Sequence, residues 1–312
     1  MAWAIFASVN MVNVVLLVRR AGIRRALVVV AGGLLAPHLG GLPLRAEPAP
    51  TIDKSQFHLF HPTPPEQMRE LSTDRPDQTE SAYTVDAGHF QVELDAVGAV
   101  IDRDRSGGGD VQTTGWGTSL NLKAGLLNNV DLQFVLDPYA QVEVKDHATG
   151  AKDTASGFGD CQTRLKINLW GNDGGNTAVA IMPFVKWPLP ESNLRNGKTE
   201  GGVIVPWAVQ LPAGWGLGGI TEFDFVSDGS GGRDTEYFNT IALSHDLVGN
   251  LGAYLEFAAL VTPESGGRWQ GQVDLGFTYG LNANTQLDFG CNFGVTRSAP
   301  DFNPFIGLSW RL

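Results

Sequence analysis

The stretch that decides the fold is residues 269–293, WQGQVDLGFTYGLNANTQLDFGCNF. Trp269, Val273, Leu275, Phe277 and Tyr279 fall on alternate positions, with Gln270, Gln272 and Asp274 between them. After a short turn, Leu281 to Asn284, the sequence sets Leu287, Phe289, Cys291 and Phe293 against Asp288 and Asn292. Period two over segments of about ten residues marks strands with one apolar and one polar face. Two such strands joined by a tight turn predict an antiparallel hairpin.

The same alternation extends in both directions from residue 88 to the end. Phe90, Val92, Leu94 and Ala96 alternate with Gln91, Glu93 and Asp95, and Val130, Leu132, Phe134 and Leu136 with Asp131, Gln133 and Asp137. Leu165, Ile167 and Leu169 oppose Arg164, Lys166 and Asn168, and the last segment ends on Ile306, Leu308, Trp310 and Leu312. Twelve strands emerge. Their connections alternate too: short turns at 125–129, 171–175, 212–216, 246–250 and 281–284, and mostly longer, charged or glycine-rich loops at 102–115, 145–156, 190–201, 227–234, 262–267 and 297–303. An outer-membrane barrel with both termini in the periplasm has this asymmetry. A soluble β-sandwich also alternates, but here the apolar faces carry Trp116, Trp187, Trp207, Trp269, Tyr279 and Trp310 near strand ends, where an interfacial girdle belongs, and the polar faces carry several charges each. The predicted class is all-β, a transmembrane antiparallel β-barrel of about twelve strands over residues 88–312 in a Gram-negative outer membrane, porin-like, with lipid outside.

Ahead of the barrel the composition changes twice. The first 46 residues hold no acid and five arginines; the rest holds 17 Lys+Arg against all 33 Asp+Glu, a net charge of −16. Arg19, Arg20, Arg24 and Arg25 precede the apolar run Ala26 to Leu44, so residues 1–46 read as a signal peptide cleaved after Ala46. Residues 1–18 are read as translation from a misassigned start rather than as an anchor, because about 17 apolar residues are at the lower limit for spanning. No later stretch is apolar enough for a transmembrane helix, which leaves a closed barrel as the membrane form. So acidic a chain, lacking a basic stripe with interleaved aromatics, is expected to avoid nucleic acid. Residues 47–87 are proline-rich and too polar for a core. Thr63-Pro64-Pro65-Glu66 predicts a capping box opening a short helix through Leu71.

Residues 72–93, STDRPDQTESAYTVDAGHFQVE, run straight into the first strand. Through Thr73-Asp74-Arg75-Pro76-Asp77, Thr79-Glu80-Ser81 and Gly88-His89-Phe90-Gln91 with Glu93, the chain resembles outer-membrane transporter-like proteins named for the meta-pathway of phenol degradation. The strand pattern extends that resemblance over residues 72–312. It implies a barrel and uptake of aromatic or other hydrophobic compounds. Terminal Leu312 departs from the aromatic last residue usual in such barrels, with Trp310 two places earlier on the same face. Asp74, Arg75, Asp77, Thr79 and Glu80 form a run able to tuck into the periplasmic mouth and pair with Arg164, Lys166 or Arg311; the alternative is a solvated tether.

Candidate chemistry is sparse. His245 shares apolar parity beside Ser244 and Asp246, but neighbours on a strand point to opposite faces and form no triad; no GxSxG is present. His89 has lumen parity and is expected to make an orienting hydrogen bond. Asp102 to Gly107 imitates half a calcium loop, but its twelfth position is Thr113, so an exposed hairpin is predicted. Cys161 and Cys291 share lipid-facing parity on non-adjacent strands and should be free thiols. No cofactor, metal or catalytic residue is predicted. Inward parity instead collects Glu93, Asp95, Lys123, Asp131, Asp137, Arg164, Lys166, Lys186, Glu222, Asp224, Glu236, Glu256, Asp274, Asp288 and Arg311, ten acids against five bases, together with apolar Met182, Phe184 and Phe238. The functional expectation is a non-enzymatic channel or transporter passing small, aromatic or hydrophobic solutes. The alternatives are a barrel filled by paired charges, a surface-binding protein, or a lipid-acting barrel enzyme.

Overall fold

The computed structural model describes residues 53–188, 194, 197–263 and 268–312. The signal-peptide reading over 1–46, and parts of the loops read at 190–201 and 262–267, lie outside the described residues. Thirteen strands occur among those described: β1 (Phe90–Asp104), β2 (Val111–Leu127), β3 (Val130–Asp146), β4 (Lys152–Gly157), β5 (Cys161–Trp170), β6 (Thr177–Trp187), β7 (Glu200–Gln210), β8 (Trp215–Ser227), β9 (Arg233–Val248), β10 (Leu251–Thr262), β11 (Arg268–Asn282), β12 (Thr285–Gly294) and β13 (Phe302–Arg311). β4 and β5 are one stave in two pieces: β3 pairs with β5 along Val130 to Leu136 and with β4 along Ala140 to Lys145. The staves therefore number twelve. All pairings are antiparallel between sequence neighbours, and β1 meets β13 from Gln91↔Arg311 to Ile101↔Phe302, which closes the barrel. Closure matters because backbone amides facing hydrocarbon have no other partner.

Parity sets the two faces as the sequence predicts. Leu122, Phe134, Leu169, Leu255, Leu275, Phe289 and Ile306 are exposed on the outside, while Lys123, Gln133, Asn168, Glu256, Asp274 and Asp288 are buried within. Trp116 rests on Tyr139 (centroids 5.1 Å), and with Trp187 and Trp269 it marks the long-loop end of the belt. Trp170, Trp215 and Tyr279 mark the short-turn end. Cys161 and Cys291 are free and half-buried.

Three expectations need correction. Strict alternation breaks in β1: the register slips between Asp95 and Val97 against β13, so Gln91 and Glu93 are buried below the slip, and Val100 and Asp102 above it. A bulge of this kind adds a residue and reverses parity. Several regions read as long loops are strand instead, the 102–115 loop shrinking to residues 105–110, because hairpin pairing continues beyond the apolar belt where both faces are polar. The helix predicted from Thr63 is a single 3-10 turn, Pro65–Gln67; Thr63 donates its backbone N–H to Ala87 O (2.9 Å) rather than capping, and the chain turns extended at Met68, where the Arg69 amide is drawn to Asp86 (3.1 Å).

Candidate functional site

Residues 72–86 rise from the short-turn end into the lumen, and their polar groups meet the wall in five clusters, four of them built on ion pairs. In the first, Asp74 is 8% exposed and sits between Lys123 and Lys166, each 2.5 Å away, while its amide points at both oxygens of Glu93 (3.1 Å each). Glu93 also pairs with Lys123, and Gln133 reaches Asp74 at 3.3 Å. Burial alone would raise the Asp74 carboxyl; the charges of Lys123 and Lys166 reverse that and hold it far below the usual carboxylate range. In the second cluster, Arg75 lies 2.7 Å from Asp288 and 3.6 Å from Asp95, with its guanidinium 5.7 Å from the centre of the Phe305 ring. Pro76 follows through a cis peptide. Gly307 on β13 makes room for Arg75: a Cβ there would stand 2.3 Å from Nη2.

The third cluster is Glu80 on Arg164 at 2.5 Å, with Arg164 Nε donating to Gln162 (2.9 Å). Burial lifts the Glu80 carboxyl to about 7 against the pull of Arg164. The fourth lies at the short-turn end. Asp86 pairs with Arg311 (3.2 Å) and Arg69 (3.3 Å), and Arg69 and Lys54 both reach Asp173 (2.9 Å each). Between clusters the backbone is held as well: Asn168 donates to Ala82 O (2.8 Å), and the Val85 amide donates to Asp131 (3.0 Å). Gly125 passes so close that a Cβ would stand 2.0 Å from Asp86 O.

Thr79 and Gln78 complete the seat on the far wall. Thr79 Oγ1 donates to Glu256 (2.6 Å) beside Thr240 (2.5 Å); Gln78 donates its amide to Glu256 (2.8 Å) and its side chain to Asp274 (2.7 Å). Asp77 lies with these acids, and burial followed by the Glu256 charge holds its carboxyl well above the usual range. His89 is at the rim rather than in the lumen: Nε2 faces Thr63 O (2.8 Å) and Nδ1 faces Leu312 O (3.2 Å), tying the segment to the chain terminus. His245 lies against Trp215 at 4.4 Å.

The remaining wall is different. Met182 on β6, Ile204 on β7 and Ile220 on β8 form a buried inward cluster, with Phe184 and Phe238 packed against it. Above it, Glu222 is register partner to Ile204 and Phe238, and Asp224 to Gly202 and Glu236. Ile204 stands out poorly in the sequence because β7 reads VIVPWAVQ, apolar at nearly every position, and Ile220 because it lies on β8 in the run GLGGITEF, where glycines interrupt the alternation. Gln91, Gln133 and Asn168 fall on the predicted polar face, but as uncharged groups they, like Gln78, stand out as partners only once the segment's path is known. Lys186 pairs with Glu200, and Arg103 holds Asp110 through two bonds of 2.7 Å across the outer hairpin.

A closed barrel, apolar outside and charged inside, is a bacterial outer-membrane β-barrel. In fold the chain is similar to an outer-membrane channel from Pseudomonas putida F1, with a TM-score of 0.56, 11% identity and coverage of 77% of this chain and 100% of that one. It is more distantly similar to the NanC porin (TM-score 0.46, 11% identity, 71% and 100% covered) and to the translocator domain of the autotransporter NalP from Neisseria meningitidis (0.48, 11%, 72% and 88%). No curated protein matches it. Residues 73–312 match the model of the family "Putative MetA-pathway of phenol degradation", and the chain belongs to that family.

Proposed function

We propose that this protein is a passive outer-membrane channel for small aromatic or otherwise hydrophobic molecules, with residues 72–86 as a plug on the charged side of its lumen. The observation that carries the reading is the inward pair Phe184 and Phe238, partly exposed and packed against the buried cluster of Met182, Ile204 and Ile220. In a lumen otherwise lined by charge and amide, the part of Phe184 and Phe238 left uncovered gives an aromatic ring a place to shed water, at about 25 cal/mol per Å² of apolar surface covered. The excess of inward acids adds a bias against anions. The family description, which refers to phenol degradation, and the Pseudomonas putida channel agree with passage of this kind. Purified protein in liposomes tests it: phenol-sized neutral aromatics should enter faster than polyols of equal size, and benzoate-type anions slowest. No conductance in planar bilayers, together with unchanged solute uptake when the gene is deleted, overturns it.

A further inference from the structure

Every cluster that seats residues 72–86 joins an acid to a base except one. Glu256 on β10 and Asp274 on β11 are direct cross-strand partners, both inward, at 1% and 0% exposure. Opposed side chains in an antiparallel pair have Cβ atoms about 5 Å apart, and like charges so placed repel. Among the described residues no lysine or arginine forms an ion pair with either, or with Asp77 beside them. Asp274 Oδ1 is buried without a hydrogen-bond partner, and so is the hydroxyl of Tyr254 two places from Glu256. The groups facing the pair are Asp77 from the segment, Tyr254 from β10 and, further off, Asp288 from β12, whose charge is taken up by Arg75; Glu80, on Arg164, reaches Asp77 from the other side. Gln78 bridges the two carboxyls, so whatever happens to their charge acts directly on the segment.

We infer that Glu256 and Asp274 form a proton-binding site in the barrel wall, and that residues 77–80 stay seated only while one proton is held there. The inference rests on the plug reading above. With a proton between them the carboxyls cease to repel, and one becomes a donor for the vacant lone pairs around it. Without it, two or three buried carboxylates face each other and the segment's own Asp77, and leaving is the way to hydrate them. The sign follows. Groups that bind protons more tightly when seated lose that stabilisation as pH rises, by up to about tenfold in the seating equilibrium per pH unit for each proton released. Burial lifts Asp77 and Glu80 in the same direction, Glu80 to about 7, whereas Asp74, held far below the usual range, keeps its lysines throughout.

The test reads seating directly. With Cys161 and Cys291 changed to serine, Ala82→Cys places a thiol on a buried segment position, and Ser106→Cys places one on the exposed outer hairpin as a reference. Labelling of the full-length barrel in liposomes by a water-soluble maleimide, expressed relative to the reference at each pH, should rise at least about tenfold between pH 5.5 and 8.5. In the E256Q/D274N background it should stay low, with only the smaller rise that Asp77 and Glu80 retain, and heat-modifiable gel mobility confirming a folded barrel; Asp274→Asn alone serves if the double variant does not fold. Slow labelling at every pH in the parent, or wild-type pH dependence in the amide variants, overturns the proton site while leaving the plug intact. Labelling as fast as the reference at every pH overturns the plug reading itself, and the proton site with it.

Discussion

The two sides of this lumen are built from opposite chemistry and hold opposite kinds of partner. Around β1–β5 and β10–β13 the inner wall carries Lys123, Lys166, Arg164, Asp288 and Arg311, and the chain's own segment answers each with an ion pair. Around β6–β9 it carries the apolar cluster of Met182, Ile204, Ile220, Phe184 and Phe238 below Glu222 and Asp224, and no ion pair links the segment to this wall among the described residues, Thr79 meeting only Thr240. A buried charge needs a matched partner at fixed geometry, so the charged side is specific and is satisfied by covalently attached chain. An apolar patch is non-directional and serves any ring of suitable size. On the proposed function the labour divides: one wall keeps the segment in place, the other meets the solute.

Breaking the charged side should have the largest effect. Asp74→Ala leaves Lys123 and Lys166 buried side by side without their shared carboxylate, and loss of one partner from such a set costs about 3–5 kcal/mol. Because the barrel wall is separately closed by its own ladder, the cost should fall on seating: protease cleavage within residues 72–86 and single-channel conductance should both rise, while heat-modifiable mobility is unchanged. Adding Lys166→Met should recover part of the loss by removing one orphaned cation. A segment that remains protected in the single variant contradicts the claim that Asp74 anchors it.

A smaller disturbance acts through shape instead of charge. Gly307 is glycine because Arg75 occupies the space of its missing side chain, so Gly307→Leu must push the guanidinium from Asp288 and from Phe305. Overpacking of this sort costs about 1–3 kcal/mol, and the same cleavage assay should show an intermediate increase. The apolar side should respond in selectivity and leave seating alone. Phe238→Ala, or Phe184→Ala, removes surface that an aromatic ring would cover, about 1 kcal/mol for the solute, so its entry should slow several-fold relative to a polyol while segment protection is kept. An equal slowing of both solutes assigns the patch to packing alone.

Much of this was legible beforehand, and the exceptions have physical causes. Period two placed Glu93, Lys123, Arg164, Lys166 and Asp274 inside and Phe134, Leu275 and Phe289 outside, because a half-wet sheet leaves that mark on every residue. Parity fails where an extra residue enters the ladder, as at Ala96 and Val97, and where both faces are apolar, as around Ile204. Which acid meets which base was open, since Asp74, Asp77 and Glu80 are close in sequence and only the three-dimensional path sends Asp74 to the lysines, Glu80 to Arg164 and Asp77 among other acids. The proton site belongs to this second kind: Glu256 and Asp274 are 18 positions apart in sequence, and only the β10–β11 register makes them neighbours.

The smallest effect is expected where charge pairing looks best by distance alone. Arg103 grips Asp110 through two bonds of 2.7 Å, shorter than the contacts of Arg311 with Asp86, yet it does so on the outer hairpin with side chains about one-third exposed. The fork holds Asp110 ionised, its hydrogen bond lowering that carboxyl below the ordinary value. Water does nearly the same for either group once the partner is gone, so the pair contributes little that solvent does not replace. Arg103→Ala should therefore leave conductance, segment protection and thermal unfolding unchanged, whereas Arg311→Ala, which leaves the buried Asp86 with Arg69 alone, should loosen the segment's end and raise cleavage near Thr84. Equal responses from the two arginines would mean that distance, and not burial, sets the strength of the seat.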